Sequence, residues 1–269
     1  MTPTVAPMPQ PNAQPRAGLV TWIRSLVFTA LFYAWTGLAA VLGLPTLMLS
    51  VRNSRRMERI WLNGVMALVR HVIGARIEVR GRERVPPAPF LCAAKHQSAW
   101  DTMALPWLLE DPAIVMKREL MWIPLYGWYA RRWGMIPVDR SAGAAALRTM
   151  LRAADVAAKA RRIIAIFPQG TRVAPGAPAP YQPGVAALYS RLGLPCVPVA
   201  VLSGTVWPRR TLIKRPGTIV FEYLEPIPAN LPRARFMALL EERIETASNR
   251  LLAESGTPDP VPGTNHEPG

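Results

Sequence analysis

His96 and Asp101 are the residues of this chain best suited to move a proton. They stand five positions apart in Lys95-His96-Gln97-Ser98-Ala99-Trp100-Asp101, directly after the apolar run Phe90-Leu91-Cys92-Ala93-Ala94. The chain has three histidines; His71 lies in an amphipathic stretch and His266 in a polar tail. A carboxylate beside an imidazole fixes its tautomer and stabilises its protonated form, which makes a general base. No Gly-x-Ser-x-Gly elbow supplies a serine nucleophile, so the hydroxyl such a base activates belongs to a substrate. Residues five apart do not share a helix face. The two therefore meet only where the chain turns, as at a strand end entering a helix that begins near Trp100. Taken alone, the spacing fits an ordinary strand-to-helix connection capped by Asp101 at least as well.

Two further features follow apolar runs. Ile163-Ile164-Ala165-Ile166-Phe167 leads into Pro168-Gln169-Gly170-Thr171-Arg172. A Gly-Thr-Arg turn at a strand's carboxyl end suits an anion: glycine allows close backbone approach, threonine offers a hydroxyl, and arginine grips phosphate with a fork. Lys117-Arg118-Glu119-Leu120 also closes an apolar run and precedes Ile123-Pro124-Leu125-Tyr126-Gly127. Each of these, by itself, also describes a solvated turn.

In combination and in this order, they resemble the glycerolipid acyltransferase family, in its bacterial 1-acyl-glycerol-3-phosphate acyltransferase branch. His96 and Asp101 match its His-x4-Asp motif. Lys117 to Leu120 match its Lys-x-Glu-Leu sequence, and Pro124 to Gly127 its Pro-x-x-Gly. Residues 167–172 match Phe-Pro-Glu-Gly-Thr-Arg except at Gln169, and Val197-Pro198-Val199 matches a fourth, weaker motif. Residues 134–140 are also similar to the family. Gln169 keeps the shape and hydrogen-bonding capacity of glutamate without its charge, which is expected to make the pocket slightly more welcoming to an anion.

The resemblance implies transfer of a fatty acyl group from acyl-CoA or an acyl carrier protein thioester to the 2-hydroxyl of lysophosphatidic acid, giving phosphatidic acid. His96 would take the hydroxyl proton and Asp101 would orient His96, with no covalent acyl-enzyme. Lys117 and Arg172 would hold the glycerol phosphate, helped by Gln169, Gly170 and Thr171. The expected oxyanion donors are backbone amides near residues 97–100 or 168–170. No metal or prosthetic group is implied. Glycerol 3-phosphate, a lyso-ornithine lipid or another lysolipid are the alternative acceptors.

Elements must position these groups. Short apolar runs at residues 77–79, 90–94, 113–116, 135–138, 163–167, 197–202 and 219–223 read as strands. Helical patterns at 100–109, 125–133, 142–161, 185–192 and 233–252 fall between and after them. This is an α/β fold with a mixed, largely parallel sheet flanked by helices. Cys92 and Cys196 lie in strand-like runs and read as packing residues of a reduced compartment. The His and Cys positions show no zinc spacing.

Ahead of the catalytic domain, assigned to residues 76–252, residues 19–75 form an expected membrane-anchoring helical segment. Residues 25–51 carry no charge, and Arg52, Arg55 and Arg56 follow at once, which places the flank after them in the cytoplasm. About twenty apolar residues span a bilayer, but Gly43 and Pro45 interrupt the run, so two helices lying in one leaflet rival a single span. The second helix is expected to turn Ile60, Trp61, Val65, Leu68, Val69, Val72 and Ile73 to one side. Residues 1–18 and 253–269 read as disordered. The net charge of +15, from 32 basic and 17 acidic residues, favours anionic partners: lipid headgroups, nucleic acid or an acidic carrier. Arg209, Arg210, Lys214 and Arg215 form one basic patch. The expected location is the inner membrane, with the catalytic domain facing the cytoplasm. A membrane-anchored basic lipid- or nucleic-acid-binding protein is the rival of another class. Its nucleic-acid form is disfavoured, because the basic residues are scattered and the aromatics are not interleaved with them.

Overall fold

The computed structural model describes residues 17–139 and 142–256. The expectations for residues 1–16, for 257–269 and for Arg140 lie outside the described residues. Each of the seven apolar runs is a strand: β1 (Ala75–Arg80), β2 (Leu91–Ala94), β3 (Ala113–Lys117), β4 (Ile136–Val138), β5 (Ile164–Ile166), β6 (Cys196–Leu202) and β7 (Gly217–Tyr223). They form one sheet in the order β1-β7-β6-β2-β5-β3-β4. Every neighbouring pair is parallel except β6 and β7. The mixed, largely parallel sheet expected from the chain is thus the observed one.

Strands β2, β5 and β6 are apolar throughout because both faces are covered. Side chains alternate between the faces with period two. In β6, Val197, Val199 and Val201 join one core, and Cys196, Ala200 and Leu202 the other. In β2, Cys92 and Ala94 face the first core, while Leu91 and Ala93 face the second. Both cysteines are free and buried, and burial pushes the Cys92 thiol up to about 12.

Among the described residues, three helices precede the sheet: α1 (Leu19–Leu42), α2 (Leu44–Met48) and α3 (Val51–Leu68). Helix α3 ends in a wider turn over Val69–Ile73, and Gly74 leaves it in the left-handed region at φ 79° to enter β1. Beyond it lie α4 (Trp100–Leu108), α5 (Tyr126–Arg132), α6 (Gly143–Lys159), α7 (Pro183–Leu192) and α8 (Arg233–Ser255). Helix α8 runs three residues past the expected end at Leu252.

The expected boundary at residue 75 does not separate two cores. Leu62, Val65, Met66, Val69 and Ile73, spaced as one helical face, are buried against the sheet, and Phe28 of α1 joins the same core. Ile60, expected on that face, is exposed instead. Lys214, expected in a basic surface patch, is buried between Phe28 and Trp207, its ammonium 5.6 and 5.4 Å from their ring centres.

Candidate active site

The order β2-β5-β3 places the three expected motifs side by side at one edge, because all three strands are parallel and present their carboxyl ends together. His96 follows β2, Gln169 to Arg172 follow β5, and Lys117 closes β3. Ligand sites of open parallel sheets lie at this edge. The chain turns between Lys95 and Trp100 as expected, and Asp101 enters the first turn of α4.

His96 Nδ1 lies 2.9 Å from Asp101 Oδ2. Asp101 is fully buried and accepts four other hydrogen bonds. Its Oδ2 takes the Gln97 and Ser98 amides at 2.6 and 2.8 Å, and its Oδ1 takes the Ser98 and Ser203 hydroxyls at 3.2 and 2.5 Å. A carboxylate surrounded by donors meets the imidazole as an acceptor. It therefore holds the proton on Nδ1 and leaves the Nε2 lone pair for chemistry. The His96 ring stacks on Phe167, with centroids 4.0 Å apart and planes at 16°, which fixes its orientation.

The loop after β5 is bonded to the His96 backbone at both polar atoms. Val173 N donates to His96 O at 2.8 Å, and His96 N donates to Gln169 Oε1 at 3.2 Å. Gly170 turns this loop at φ 69° with its N–H on Phe167 O at 2.9 Å, a conformation that costs any residue with a Cβ. Thr171 and Arg172 are exposed beside it. Lys117 is also exposed, one strand away from that loop. The structure thus brings His96, Asp101, Gln169 and Gly170 together, and places Thr171, Arg172 and Lys117 on the same rim without a contact between these three side chains and the imidazole.

Two expectations are corrected. Of the amides in the two stretches expected to offer oxyanion donors, those of Gln97, Ser98, Trp100 and Gly170 bond instead to Asp101 Oδ2, Asp101 Oδ2, Ser98 Oγ and Phe167 O, which narrows that expectation to the remaining ones. Nor does Gln169 leave the site short of negative charge. Glu245 of α8 approaches its amide, with Gln169 Nε2 donating to Glu245 Oε1 at 3.4 Å, and Glu245 Oε2 pairs with the buried Lys95 ammonium.

Several supporting residues were not singled out from sequence. Gln97 is buried and its Oε1 accepts from the Ser203 and Gly204 amides, both at 3.0 Å, which sets the turn that delivers Ser203 to Asp101. Ser203-Gly204 directly follows the strand bearing Val197-Pro198-Val199, so its position at a strand's carboxyl end was a usable signal. Glu245 lies on a helix 150 positions from Lys95, and no local pattern marks it.

The sequence profile of the Acyltransferase family matches residues 76–202. The chain is 33% identical over 229 residues to the 1-acyl-sn-glycerol-3-phosphate acyltransferase of Pseudomonas aeruginosa, covering 85% of this chain and 88% of that one. It belongs to the acyltransferase family. More distant relatives include the 1-acyl-sn-glycerol-3-phosphate acyltransferase of Limnanthes alba, 32% identical over 72% of this chain and 68% of that one. Another is the human 1-acyl-sn-glycerol-3-phosphate acyltransferase alpha, 28% identical over 65% of this chain and 62% of that one. The fold is shared with the crystal structure of the 1-acyl-sn-glycerophosphate (LPA) acyltransferase from Thermotoga maritima, at a TM-score of 0.68 and 22% identity, over 87% of this chain and 98% of that one.

Proposed function

We propose that this chain is a 1-acyl-sn-glycerol-3-phosphate acyltransferase that moves a fatty acyl group from a thioester to the 2-hydroxyl of lysophosphatidic acid. The observation that carries the mechanism is the 2.9 Å approach of His96 Nδ1 to a donor-saturated Asp101 at the rim shared by β2, β5 and β3. The free Nε2 takes the hydroxyl proton as the oxygen attacks the thioester carbonyl. The C–O bond forms, the tetrahedral centre collapses, and the thiolate leaves with the proton returned by His96. The acceptor alcohol occupies the place a serine holds in hydrolases, so no acyl-enzyme forms. Arg172, Lys117 and the Gly170-Thr171 turn hold the phosphate at the same rim, Arg172 through its planar fork.

The lipid substrate fits a protein held in one leaflet of the inner membrane at its cytoplasmic face. Helix α1 is long and apolar enough to cross a bilayer, yet it is bonded to the domain along its length. Ser25 Oγ donates to Lys214 O at 3.1 Å, Trp35 Nε1 to Trp61 O at 2.9 Å, and Tyr129 Oη to Ala40 O at 2.8 Å. A helix tied to a cytoplasmic domain from residue 25 to residue 40 lies with it rather than passing through. Its outer face presents Leu19, Ile23, Leu26, Leu31, Leu38 and Leu42. Trp122, ahead of α5, and Trp128, within it, are 75% and 52% exposed and are aromatic residues of the kind that settle at headgroups.

Purified protein given lysophosphatidic acid with acyl-CoA, and separately with acyl carrier protein thioester, is expected to yield phosphatidic acid with at least one donor. Product on glycerol 3-phosphate or lyso-ornithine lipid alone, with none on lysophosphatidic acid, would overturn the acceptor assignment.

A further inference from the structure

We propose that Glu245 is a positioning residue for the acyl transfer, and that positions 169 and 245 are built to hold one negative charge between them. This rests on the role given above to His96. Lys95, the residue before His96, has a side chain only 1% exposed. An ammonium so buried requires a counter-charge and hydrogen bonds. Glu245 supplies the charge through Oε2. Its Oε1 accepts from Tyr181 Oη at 2.9 Å and from Gln169 Nε2 at 3.4 Å. Burial, then the Glu245 charge, hold the Tyr181 phenol well above its ordinary range, so it remains a donor. The far end of Gln169 accepts from the His96 amide at 3.2 Å.

A closed ring results: Lys95 to Glu245, Glu245 to Gln169, Gln169 to the His96 backbone, and back along the chain to Lys95. The amide at 169 accepts from the His96 N–H and donates to Glu245 at the same time, which a glutamate there could do only when protonated. A carboxylate at 169 would still accept from His96 but would face Glu245 as a like charge at hydrogen-bonding distance, with one ammonium between two anions. An amide at 245 would leave Lys95 buried without its counter-charge. Exchanging the two groups keeps one anion, one amide and one cation in the ring. Residue 169 can then accept from His96 and from the amide at 245.

The test is a double-mutant cycle on the full chain with lysophosphatidic acid and the preferred thioester, reading kcat and both KM values against pH. Q169E and E245Q are each expected to lower kcat roughly tenfold; E245Q, whose site lies behind Lys95 and Gln169, leaves both KM values within about twofold, whereas Q169E, at the phosphate-holding loop, also raises the KM for lysophosphatidic acid. The deficit of Q169E shrinks as pH falls, because protonating one of the two facing carboxylates restores a donor. Q169E/E245Q returns kcat to within about threefold of the parent, the strong coupling expected of contacting groups. A purely packing role for Glu245 would not produce the pH-dependent deficit or the reciprocal rescue. The proposal is overturned if the double variant is as slow as Q169E, if it fails to fold, or if Q169E matches the parent. H96A run in parallel separates the two readings: an active H96A removes the general base itself, whereas an inactive H96A with no rescue removes only Glu245.

Discussion

Ser203 donates its hydroxyl to Asp101 Oδ1 across 2.5 Å, joining residues 102 positions apart in the chain. Both are fully buried. The bond ties the carboxyl end of β6 to the carboxylate that faces His96, so the imidazole is held by three strands rather than by its own loop. Ser203→Ala leaves Oδ1 with the longer Ser98 bond. Loss of a hydrogen bond to a charged group costs about 1.5–3 kcal/mol. Part of that is expected in stability and part as a fall of roughly three- to tenfold in kcat with little change in KM. Thermal unfolding and steady-state kinetics on the same preparation check both.

Removing the base itself has a sharper signature. His96→Ala is expected to fold, since the ring lies at the rim and is partly exposed, and to lower kcat by about 10²–10⁴, the range for general-base catalysis. Asp101→Asn is expected to do comparable damage for a different reason. An amide at 101 that turns its N–H₂ group to the Oδ2 position meets the Gln97 and Ser98 N–H groups and reverses the His96 tautomer, and one that turns it to the Oδ1 position makes the Ser98 and Ser203 hydroxyls accept and still removes the charge that stabilises the imidazolium. It should also lower stability by about 2–4 kcal/mol, which His96→Ala should not. Measured kcat for both variants, with unfolding midpoints, distinguishes a lost base from a lost scaffold.

The central strands β2, β5 and β6 were legible because each is buried on both faces, so its apolar run is nearly continuous, while the edge strand β1 shows only the apolar residues Ile77 and Val79 between charges. His96 and Asp101 were legible only in combination, because their spacing alone also fits a capped strand-to-helix turn, and it was the order of three motifs after three apolar runs, with the family resemblance it carries, that singled them out. What was not legible came from elsewhere in the chain. Gln97 reads as a loop residue until the Ser203 and Gly204 amides are placed against it. Lys95 reads as a surface charge until Glu245 covers it from α8. At Gln169 the sequence alone suggests a missing charge, whereas the fold brings a carboxylate to the same place. The buried stripe of α3 was assigned one step off at Ile60, because apolar residues occur on both sides of that helix and only the sheet decides which side is covered.

Gly127 shows why a motif position need not be chemical. A Cβ there would lie 2.0 Å from the Met121 carbonyl oxygen, a backbone atom that cannot turn aside. Leu125, two residues earlier, already sits at φ 64°. Gly127→Ala is expected to cost about 2–4 kcal/mol through forced movement of the 121–127 turn. Residual activity should track the folded fraction, with unchanged KM in what remains folded. An unfolding curve coincident with that of the parent would contradict the clash.

Glu58 gives a pH dependence of definite sign. It is buried beside Arg55 at 2.7 Å and borders an apolar cavity of about 320 Å³ between α1, α3 and α5. Burial raises its pKa more than Arg55 lowers it. Between the ordinary carboxylate value, about 4.3, and this raised value, the folded chain holds a proton that the unfolded chain has released. Stability from this group therefore falls as pH rises through that window. Glu58→Gln should flatten the slope of unfolding midpoint against pH there. An unchanged slope in the variant would show that another group sets it.

The placement of α1 separates a leaflet-bound enzyme from a spanning one. A 24-residue helix is about 36 Å long, enough to cross the hydrocarbon core, so length does not decide. The bonds from Ser25, Trp35 and Ala40 to the rest of the chain favour the leaflet-bound placement proposed above, since crossing the bilayer would require breaking them. Gly18→Cys and Arg52→Cys mark the two flanks. The native thiols do not interfere: Cys92 and Cys196 are buried, and burial holds both well above the ordinary thiol range, so neither supplies an accessible thiolate. In sealed inside-out vesicles, a membrane-impermeant maleimide is expected to label both engineered positions to a similar extent. Labelling at residue 52 alone, with residue 18 reached only after detergent, would mean that α1 crosses the bilayer and that its bonds to Lys214, Trp61 and Tyr129 do not persist in the membrane.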